Sequence, residues 1–119
     1  MAVRVYKSIA PPPMVRGPLG VMQYTWIVAA ETKAAAAAIA NLRPAEMEWE
    51  RDPSWIVHKA LLEAGYLQSP GEAFLTGATR GDHLAIWKAI QGGWEYLGRV
   101  EYRGPGWNNP YLEDREAER

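Results

Sequence analysis

The chain contains no cysteine among its 119 residues. Disulfide bonds, zinc-thiolate sites and thiol nucleophiles are therefore all excluded. No apolar run approaches the ~20 residues that a membrane-spanning helix needs. The first residues, MAVRVYKSIAPPP, also lack the continuous apolar block of a signal peptide. We expect a cytoplasmic protein with no membrane partner, whose core is held by packing alone.

Positive and negative side chains nearly balance, and the formal net charge is −1 at pH 7. This balance argues against bulk electrostatic attraction to nucleic acid or anionic lipid. The length and the hydrophobic fraction of 48% are those of one globular domain. We predict a single domain over residues 1–119, with an extended proline-rich arm over 1–19 and a loop with a charged tail over 104–119.

Phenylalanine is scarce, with one residue against six tryptophans and six tyrosines. Tryptophan and tyrosine combine a large ring with a hydrogen-bonding group, which suits surfaces that are partly buried and partly wet. Such surfaces include partner interfaces and stacking platforms for bases. The other interpretation is a sheet core in which these two residue types are preferred.

The stretch over residues 23–42 predicts a strand that runs directly into a helix. Tyr24, Trp26 and Val28 alternate with the residues between them, as in a half-buried strand. Thr32 can cap the alanine-rich helix that follows, and alanine is the best helix former. A strand feeding a helix is the start of an α/β layer.

The other predicted elements are a short edge strand over 2–7, a strand over 46–50, a helix over 53–64 capped by Asp52, a strand over 73–76, a loop over 77–81, a helix over 83–91 and a strand over 94–102. The strand over 46–50 competes with a short helix that Pro44 would begin. The fold class predicted from this order is α+β. It is a single two-layer domain, with a mixed or antiparallel sheet of about four strands and about three helices.

The helix over 53–64 is apolar on two sides. Its Trp55, His58 and Leu62 fall together, nearly opposite the face that carries Ile56, Val57, Ala60, Leu61 and Ala64. Such a helix lies between two layers or meets a partner. We predict Trp55, His58 and Leu62 as partner-binding residues, with Trp107 and Tyr111 of the C-terminal loop as a second group.

No catalytic or metal-binding residue is predicted, and no cofactor. His58 has no carboxylate one helical turn away, since Glu63 is five residues distant. His83 follows Asp82 at the predicted start of a helix, where a neutral base is conceivable, but no nucleophile accompanies it. The glycine-bounded loop Gly77–Asp82 lacks the lysine and hydroxyl of a phosphate-binding loop. We therefore expect that the protein is not an enzyme.

Two charged patterns bear on partners. Glu46, Glu48 and Glu50 alternate on the predicted strand over 46–50, and we interpret them as a solvated acidic edge that can meet a basic partner. Basic and aromatic residues are interleaved near the C-terminal strand, at Arg99, Tyr102, Arg103 and Trp107. These indicate single-stranded nucleic-acid binding as an alternative function.

Residues 24–40 carry a family likeness. Trp26-Ile-Val-Ala-Ala-Glu-Thr-Lys33, followed by the alanine run, resembles the opening of small uncharacterised bacteriophage proteins, which have a strand, an Ala-Ala-x-Thr-Lys-like turn and an alanine-rich helix. The resemblance implies a phage origin, where small cysteine-free proteins bind and block a target or build a virion. Our leading hypothesis is a non-enzymatic protein-interaction module, such as an inhibitor of a host or defence complex. A self-assembling homo-oligomeric or virion protein is the alternative from a structural class.

Overall fold

The computed structural model describes residues 3–9, 14–51, 55–80 and 83–101. Its regular elements are β1 Arg4–Ser8, β2 Met14–Gly17, β3 Gly20–Gln23, β4 Thr25–Ala30, α1 Lys33–Ala40, a 3-10 turn Pro44–Glu46, β5 Met47–Trp49, α2 Ile56–Glu63, β6 Ala73–Arg80, β7 His83–Ile90 and β8 Gly93–Glu101. Six strands form an antiparallel sheet in the order β5-β1-β4-β6-β7-β8, and β2 pairs with β3 in a separate hairpin. No helix in the described ranges is long and apolar enough to cross a membrane.

Strand β4 lies between two layers of core. Its Trp26, Val28 and Ala30 belong to one apolar cluster with the buried alanines of α1. Ile27 and Ala29 point to the other side and belong to a second cluster, with the apolar residues of α2. The two helices therefore cover opposite faces of the sheet, which we call the α1 face and the α2 face.

The predicted passage from strand to alanine-rich helix is confirmed. The Thr32 hydroxyl accepts a hydrogen bond from the backbone N–H of Ala35 at 3.1 Å, as an N-cap does. Ala36, Ala37 and Ala40 are buried against the α1 face. Because alanine has no side chain beyond Cβ, the helix axis can lie close to the strand beneath it.

The predicted fold class was wrong in its counts and layers. The described chain has eight strands and two α-helices rather than about four and about three, and helices flank the sheet on both faces. The largest error is in the predicted helix over 83–91, where residues 83–90 form strand β7. Residues 77–80, predicted as a loop, extend strand β6.

Burial on both faces explains the error at β7. Ala85 and Trp87 pack on the α1 face, while Ile86 and Leu84 pack on the α2 face. The strand therefore shows no alternation of polar and apolar residues, and a short apolar run of this kind does not distinguish strand from helix. Pairing with the adjacent strands β6 and β8, in two successive hairpins, makes these residues a strand.

A bulge in β8 explains a second difference from the prediction, namely which side chains of this strand share a face. Ile86 pairs with Gly98 and Trp87 with Tyr96, so Leu97 is an extra residue in β8. Beyond such a bulge the side chains change faces. Tyr96 consequently packs with the α1-face cluster and Val100 with the α2-face cluster, although the predicted alternation placed them together.

Three other elements differ from prediction in place or length. Strand β1 is an inner strand between β5 and β4, not an edge strand. Strand β5 is at the edge, and it follows the 3-10 turn that Pro44 begins. Helix α2 begins at Ile56, with Trp55 as its N-cap residue, and the predicted cap Asp52 lies outside the described residues.

The connection from α2 to β6 is fixed by one carboxylate. Glu72 accepts hydrogen bonds from the backbone N–H groups of Leu67, Gln68 and Ser69 at 2.8–3.0 Å. Leu67 has a positive φ of 64°, which is unfavourable for a leucine, and its side chain is buried in the α2-face cluster. The carboxylate therefore holds the loop in the shape that seats Leu67 beneath α2.

We predict that Glu72→Gln lowers the free energy of unfolding by about 1–3 kcal/mol. The amide keeps the size of the side chain but loses the charge and one of the two acceptor oxygens, which leaves backbone donors unpaired. Urea denaturation measures the change. Glu63→Gln, at an exposed position at the end of α2, is the matched control. Equal losses in the two variants would contradict this role for Glu72.

Candidate functional site

A groove lies beside α2, where the start of β1 and the end of β5 approach the helix. Its volume is about 460 Å³, within the range of roughly 300–1,000 Å³ seen for ligand pockets. The residues that line it are Val3, Arg4, Val5, Trp49, Glu50, Arg51, His58 and Leu62. We call it the α2 groove.

Pairing of the edge strand brings these residues together from three parts of the chain. Tyr6 of β1 lies opposite Trp49 of β5, and the backbone N–H of Glu50 donates to the carbonyl of Val5 at 2.8 Å. The end of β5 is thereby fixed beside the start of β1. Helix α2 packs its buried residues on the α2 face and presents His58 and Leu62 to the same place.

The floor of the groove holds a hydrogen-bonded histidine. His58 is 3% exposed, and its Nδ1 lies 3.1 Å from Oε2 of Glu50. The other oxygen of Glu50 lies 3.7 Å from Nζ of Lys7. A carboxylate can only accept, so Nδ1 carries the proton and the neutral ring has its lone pair on Nε2.

Burial lowers the pKa of His58 below its ordinary value. The hydrogen bond and the charge of Glu50 oppose this shift, and the positive charge of Lys7 adds to it. Because desolvation is the largest effect, the imidazole stays neutral near pH 7. Nε2 hydrogen-bonds to no described residue.

Beside the groove, two guanidinium groups stack on one tryptophan of the edge strand, which shares a face with its partner Tyr6 and not with His58. The guanidinium carbons of Arg4 and Arg51 lie 4.2 and 4.4 Å from the Trp49 ring centroid. Trp49 is 39% exposed. Neither arginine forms an ion pair with a described carboxylate. The stacking holds both positive charges in place while their N–H donors remain available.

The three predicted residues of α2 lie near each other but do not form an open surface. His58 is buried, and Trp55 and Leu62 are half-buried against the α2-face cluster. Nζ of Lys7 lies 5.0 Å from the Trp55 ring centroid. The second apolar side of α2 is thus covered largely by the chain itself, and its outer part, with Leu62, lines the groove.

The remaining predicted residues bear less on this site. Trp107, Tyr111, Tyr102 and Arg103 lie outside the described residues. Arg99 lies on β8, where its Nη1 is 3.2 Å from Nδ1 of His83. His83 is the first residue of β7 and not of a helix, so the positive helix end that was to hold it neutral does not exist there.

Most of the groove was missed from the sequence. Arg4, Trp49, Glu50 and Arg51 were not predicted as site residues. Glu50 belonged to a predicted solvated edge, whereas its side chain is only 11% exposed. Glu50 is eight residues from His58 across a loop, so no helical or strand spacing relates the two. The available signal was Trp49 near the end of the predicted strand, with Arg51 two residues after it.

The tryptophan and tyrosine excess has mainly a core role. Tyr24, Trp26 and Trp87 are 0%, 8% and 6% exposed, and they pack in the α1-face cluster. Their rings meet neighbouring aromatic rings, as in the pairs Tyr24–Trp87 and Trp26–Trp94, with centroids 6.0 and 5.8 Å apart. Buried rings cannot stack on bases, so these residues do not support the nucleic-acid alternative.

The chain has no match among protein-family models, curated proteins or solved structures. Within the described residues, no three histidine, aspartate or glutamate side chains are grouped as a metal site would need. The α2 groove is therefore interpreted from its own geometry.

We predict that acid destabilises the protein partly through His58. The unfolded chain takes up a proton near pH 6.5, while the folded chain takes it up only at lower pH. The contribution of His58 to the free energy of unfolding is fully present above the pKa of the unfolded chain. It is lost as the pH falls through the lower pKa of the folded chain, at a rate of at most about 1.4 kcal/mol per pH unit. The charged groups around His58 are Glu50 and Lys7, with Arg4 and Arg51 lining the same groove.

The measurement is the free energy of unfolding between pH 7.5 and 5 for the natural chain and for His58→Gln. Carboxylates that do not contact residue 58 are the same in both proteins, and the amide of the His58→Gln variant can still donate to Glu50, so the difference between the two slopes reports His58. The natural chain should lose more stability over this range. Parallel curves would show that His58 does not have a lowered pKa.

Proposed function

We propose that the protein is a non-enzymatic interaction module, and that the exposed edge of the sheet at Trp49, where β5 borders the α2 groove, is where it binds an acidic segment of a partner protein. The observation that carries this proposal is the pair of guanidinium groups, Arg4 and Arg51, held on an exposed tryptophan without a described carboxylate partner. Carboxylates are the groups that such a pair binds best, because the guanidinium fork matches the two oxygens.

The residue types at the rim are those that dominate binding energy at protein interfaces. Tryptophan and arginine are enriched among hot-spot residues. The rim is also pre-organised, since the ring of Trp49 restricts both arginine side chains before any partner arrives. Less conformational entropy is then lost on binding.

Binding is better supported than catalysis at this groove. Glu50 orients His58 as an orienting carboxylate would orient a general base. However, the lining residues provide no hydroxyl or thiol that this base could activate. The acceptor at His58 and the two cations on Trp49 are groups that bind a partner without a side-chain nucleophile between them.

A protein partner is favoured over nucleic acid by the charge around the rim. Glu48 is exposed and shares Lys7 with Glu50, so the edge strand that carries Trp49 also carries two carboxylates. A phosphate backbone would bring repeated negative charges past these groups, whereas an acidic side chain or chain end presents one or two. The resemblance of residues 24–40 to phage proteins makes a bacterial lysate the place to look for the partner.

We predict that Arg4→Glu combined with Arg51→Glu abolishes capture of the partner from a bacterial lysate. Reversing both charges replaces attraction by repulsion. Arg16→Glu with Lys33→Glu is the matched control, because both positions are exposed and lie on other elements. The captured protein, once purified, should bind the control variant normally and the groove variant at least about tenfold more weakly. Equal binding to both variants would contradict the proposal, as would a loss of capture on nuclease treatment.

A second prediction separates the two tryptophans near α2. Trp49→Ala should weaken binding of that partner by about 2 kcal/mol and leave the fold intact, since the ring is at the rim. Trp55→Ala should instead lower the free energy of unfolding, because Trp55 packs on the α2-face cluster. Calorimetric titration and urea denaturation measure the two effects. The opposite assignment would place the interface at Trp55 and not at Trp49.

A further inference from the structure

We infer that the acidic segment of the partner binds as an added strand along the outer edge of β5, with acidic side chains on the face of Trp49 and basic side chains, alternating with them, on the face of Glu48. This inference rests on the proposed function and specifies the conformation and the charge pattern of the segment. Three features of the edge lead to it.

The first feature is the part of the β5 backbone that faces away from β1. The N–H of Glu50 donates to the carbonyl of Val5 at 2.8 Å. The N–H of Ile9 donates to the carbonyl of Glu46 at the same distance. Residues bonded in this way alternate with residues whose groups point outward, so the N–H and C=O of Trp49 face away from the sheet. No described strand pairs with this side of β5, and an extended segment can bond to both groups.

The second feature is the charge that each face of the edge presents. Trp49 lies on the α1 face with its partner Tyr6. The guanidinium carbons of Arg4 and Arg51 lie 4.2 and 4.4 Å from its ring centroid. A residue that pairs with Trp49 has its side chain on the same face, with the two Cα atoms about 5.5 Å apart. A carboxylate at that position is within reach of the guanidinium groups.

The opposite face of β5 carries the other sign. Nζ of Lys7 lies 3.7 Å from Glu48 and 3.7 Å from Glu50, so one cation serves two carboxylates. The side chain of Glu48 is 50% exposed, against 11% for Glu50. A basic side chain opposite Glu48 therefore completes the charge balance on this face. Because successive side chains of a strand point to opposite faces, a segment in which acidic and basic residues alternate matches both faces.

The third feature is that β5 opposes pairing with a second copy of itself. In the antiparallel registers centred on residue 48, 49 or 50, the opposed pairs are Glu48 with Glu48, Glu48 with Glu50, and Glu50 with Glu50. Like charges directly opposite each other are destabilising. Strand β5 also has only three residues, so its few backbone bonds hold a partner weakly without the side chains. The occupant is therefore a segment of another protein, selected by its charge pattern.

The test uses heptapeptides with a fluorescent label at the N-terminus and an amide at the C-terminus. One peptide alternates glutamate with lysine and has glutamate at both ends. A block peptide of the same composition has all its glutamates before its lysines. Two more copies of the alternating peptide are methylated on backbone nitrogens, one at two glutamates and the other at two lysines. Fluorescence polarisation gives the dissociation constant of each peptide for the full chain.

Strand addition predicts that the alternating peptide binds at least about tenfold more tightly than the block peptide. Methylation at the glutamates should weaken binding at least about tenfold, because their N–H groups face β5. Methylation at the lysines, whose N–H groups face outward, should change the dissociation constant by less than about threefold. Hydrogen exchange measured by NMR should show slower exchange at the Trp49 amide in the complex than in the free protein.

A pair of variants checks the role of the two arginines. Arg4→Gln with Arg51→Gln should weaken the alternating peptide about tenfold. Arg16→Gln with Lys88→Gln is the matched control, because it removes the same charge from the β2–β3 hairpin and from β7, which three strands separate from β5. The control should bind like the natural chain, and thermal unfolding checks that each variant is folded.

Other outcomes overturn the inference in distinguishable ways. If the two methylated peptides bind equally, or the block peptide binds as well as the alternating one, while binding depends on the arginines, only the proposed function stands. An unchanged exchange rate at Trp49 in a saturated complex would also contradict strand addition. If no peptide binds while the charge-reversed variant still loses the lysate partner, strand addition is wrong and the partner presents another acidic structure. If neither peptide binding nor capture depends on the arginines, both proposals are wrong.

Discussion

Residues 26–30 of β4 are all buried, because α1 covers one face of this strand and α2 covers the other. Every second residue belongs to one cluster and the residues between belong to the other. A shift of one residue in the pairing of β4 would exchange the two sets, so its register with β1 and β6 is strongly specified. The positions of both helices and of the edge strand follow from this register.

The groove depends on the same register. Strand β1 pairs with β4 on one side and with β5 on the other, and Tyr6 takes part in both pairings, opposite Val28 and Trp49. The end of β5 is therefore placed relative to the α2 face through two successive ladders. Helix α2 is placed on that face by Val57, Ala60 and Leu61. The distance between Glu50 and His58 is thus a consequence of how the core places β5 and α2.

What could be predicted from the sequence was local. Thr32 and the alanines after it specify a helix start and a helix face within a few residues, and the structure agrees. Residues 83–90 are apolar on both faces, so their local pattern fits helix as well as strand, and only pairing with β6 and β8 distinguishes the two. The bulge at Leu97 is a property of a strand pair and has no counterpart in the sequence of β8 alone.

The residues of the candidate site also divide into those that local sequence spacing predicts and those that it does not. His58 and Leu62 were found because they share a helix face, which depends on helical spacing only. Arg4, Trp49 and Glu50 lie on two strands whose pairing was not predicted, so their approach to His58 had no local signal. The prediction was that the helix lies between two layers or that its second apolar face meets a partner. In the structure His58 on that face bonds to Glu50 at the end of β5, and Trp55 lies beside Lys7 of β1.

The pair formed by His58 and Glu50 has an energetic cost that the fold does not require. Removing a carboxylate and an imidazole from water is unfavourable, and apolar residues of similar volume in such positions are often neutral or stabilising. Lys7 offsets part of this cost by its attraction to Glu50. The pair also gives the groove a neutral ring whose tautomer is fixed, and hence an acceptor of fixed position among apolar walls. Water at the groove would satisfy that acceptor in the free protein, and a partner must replace the water with a donor of its own. The cost of the buried pair therefore becomes selectivity at the groove, since a group that enters without a donor leaves Nε2 of His58 unpaired.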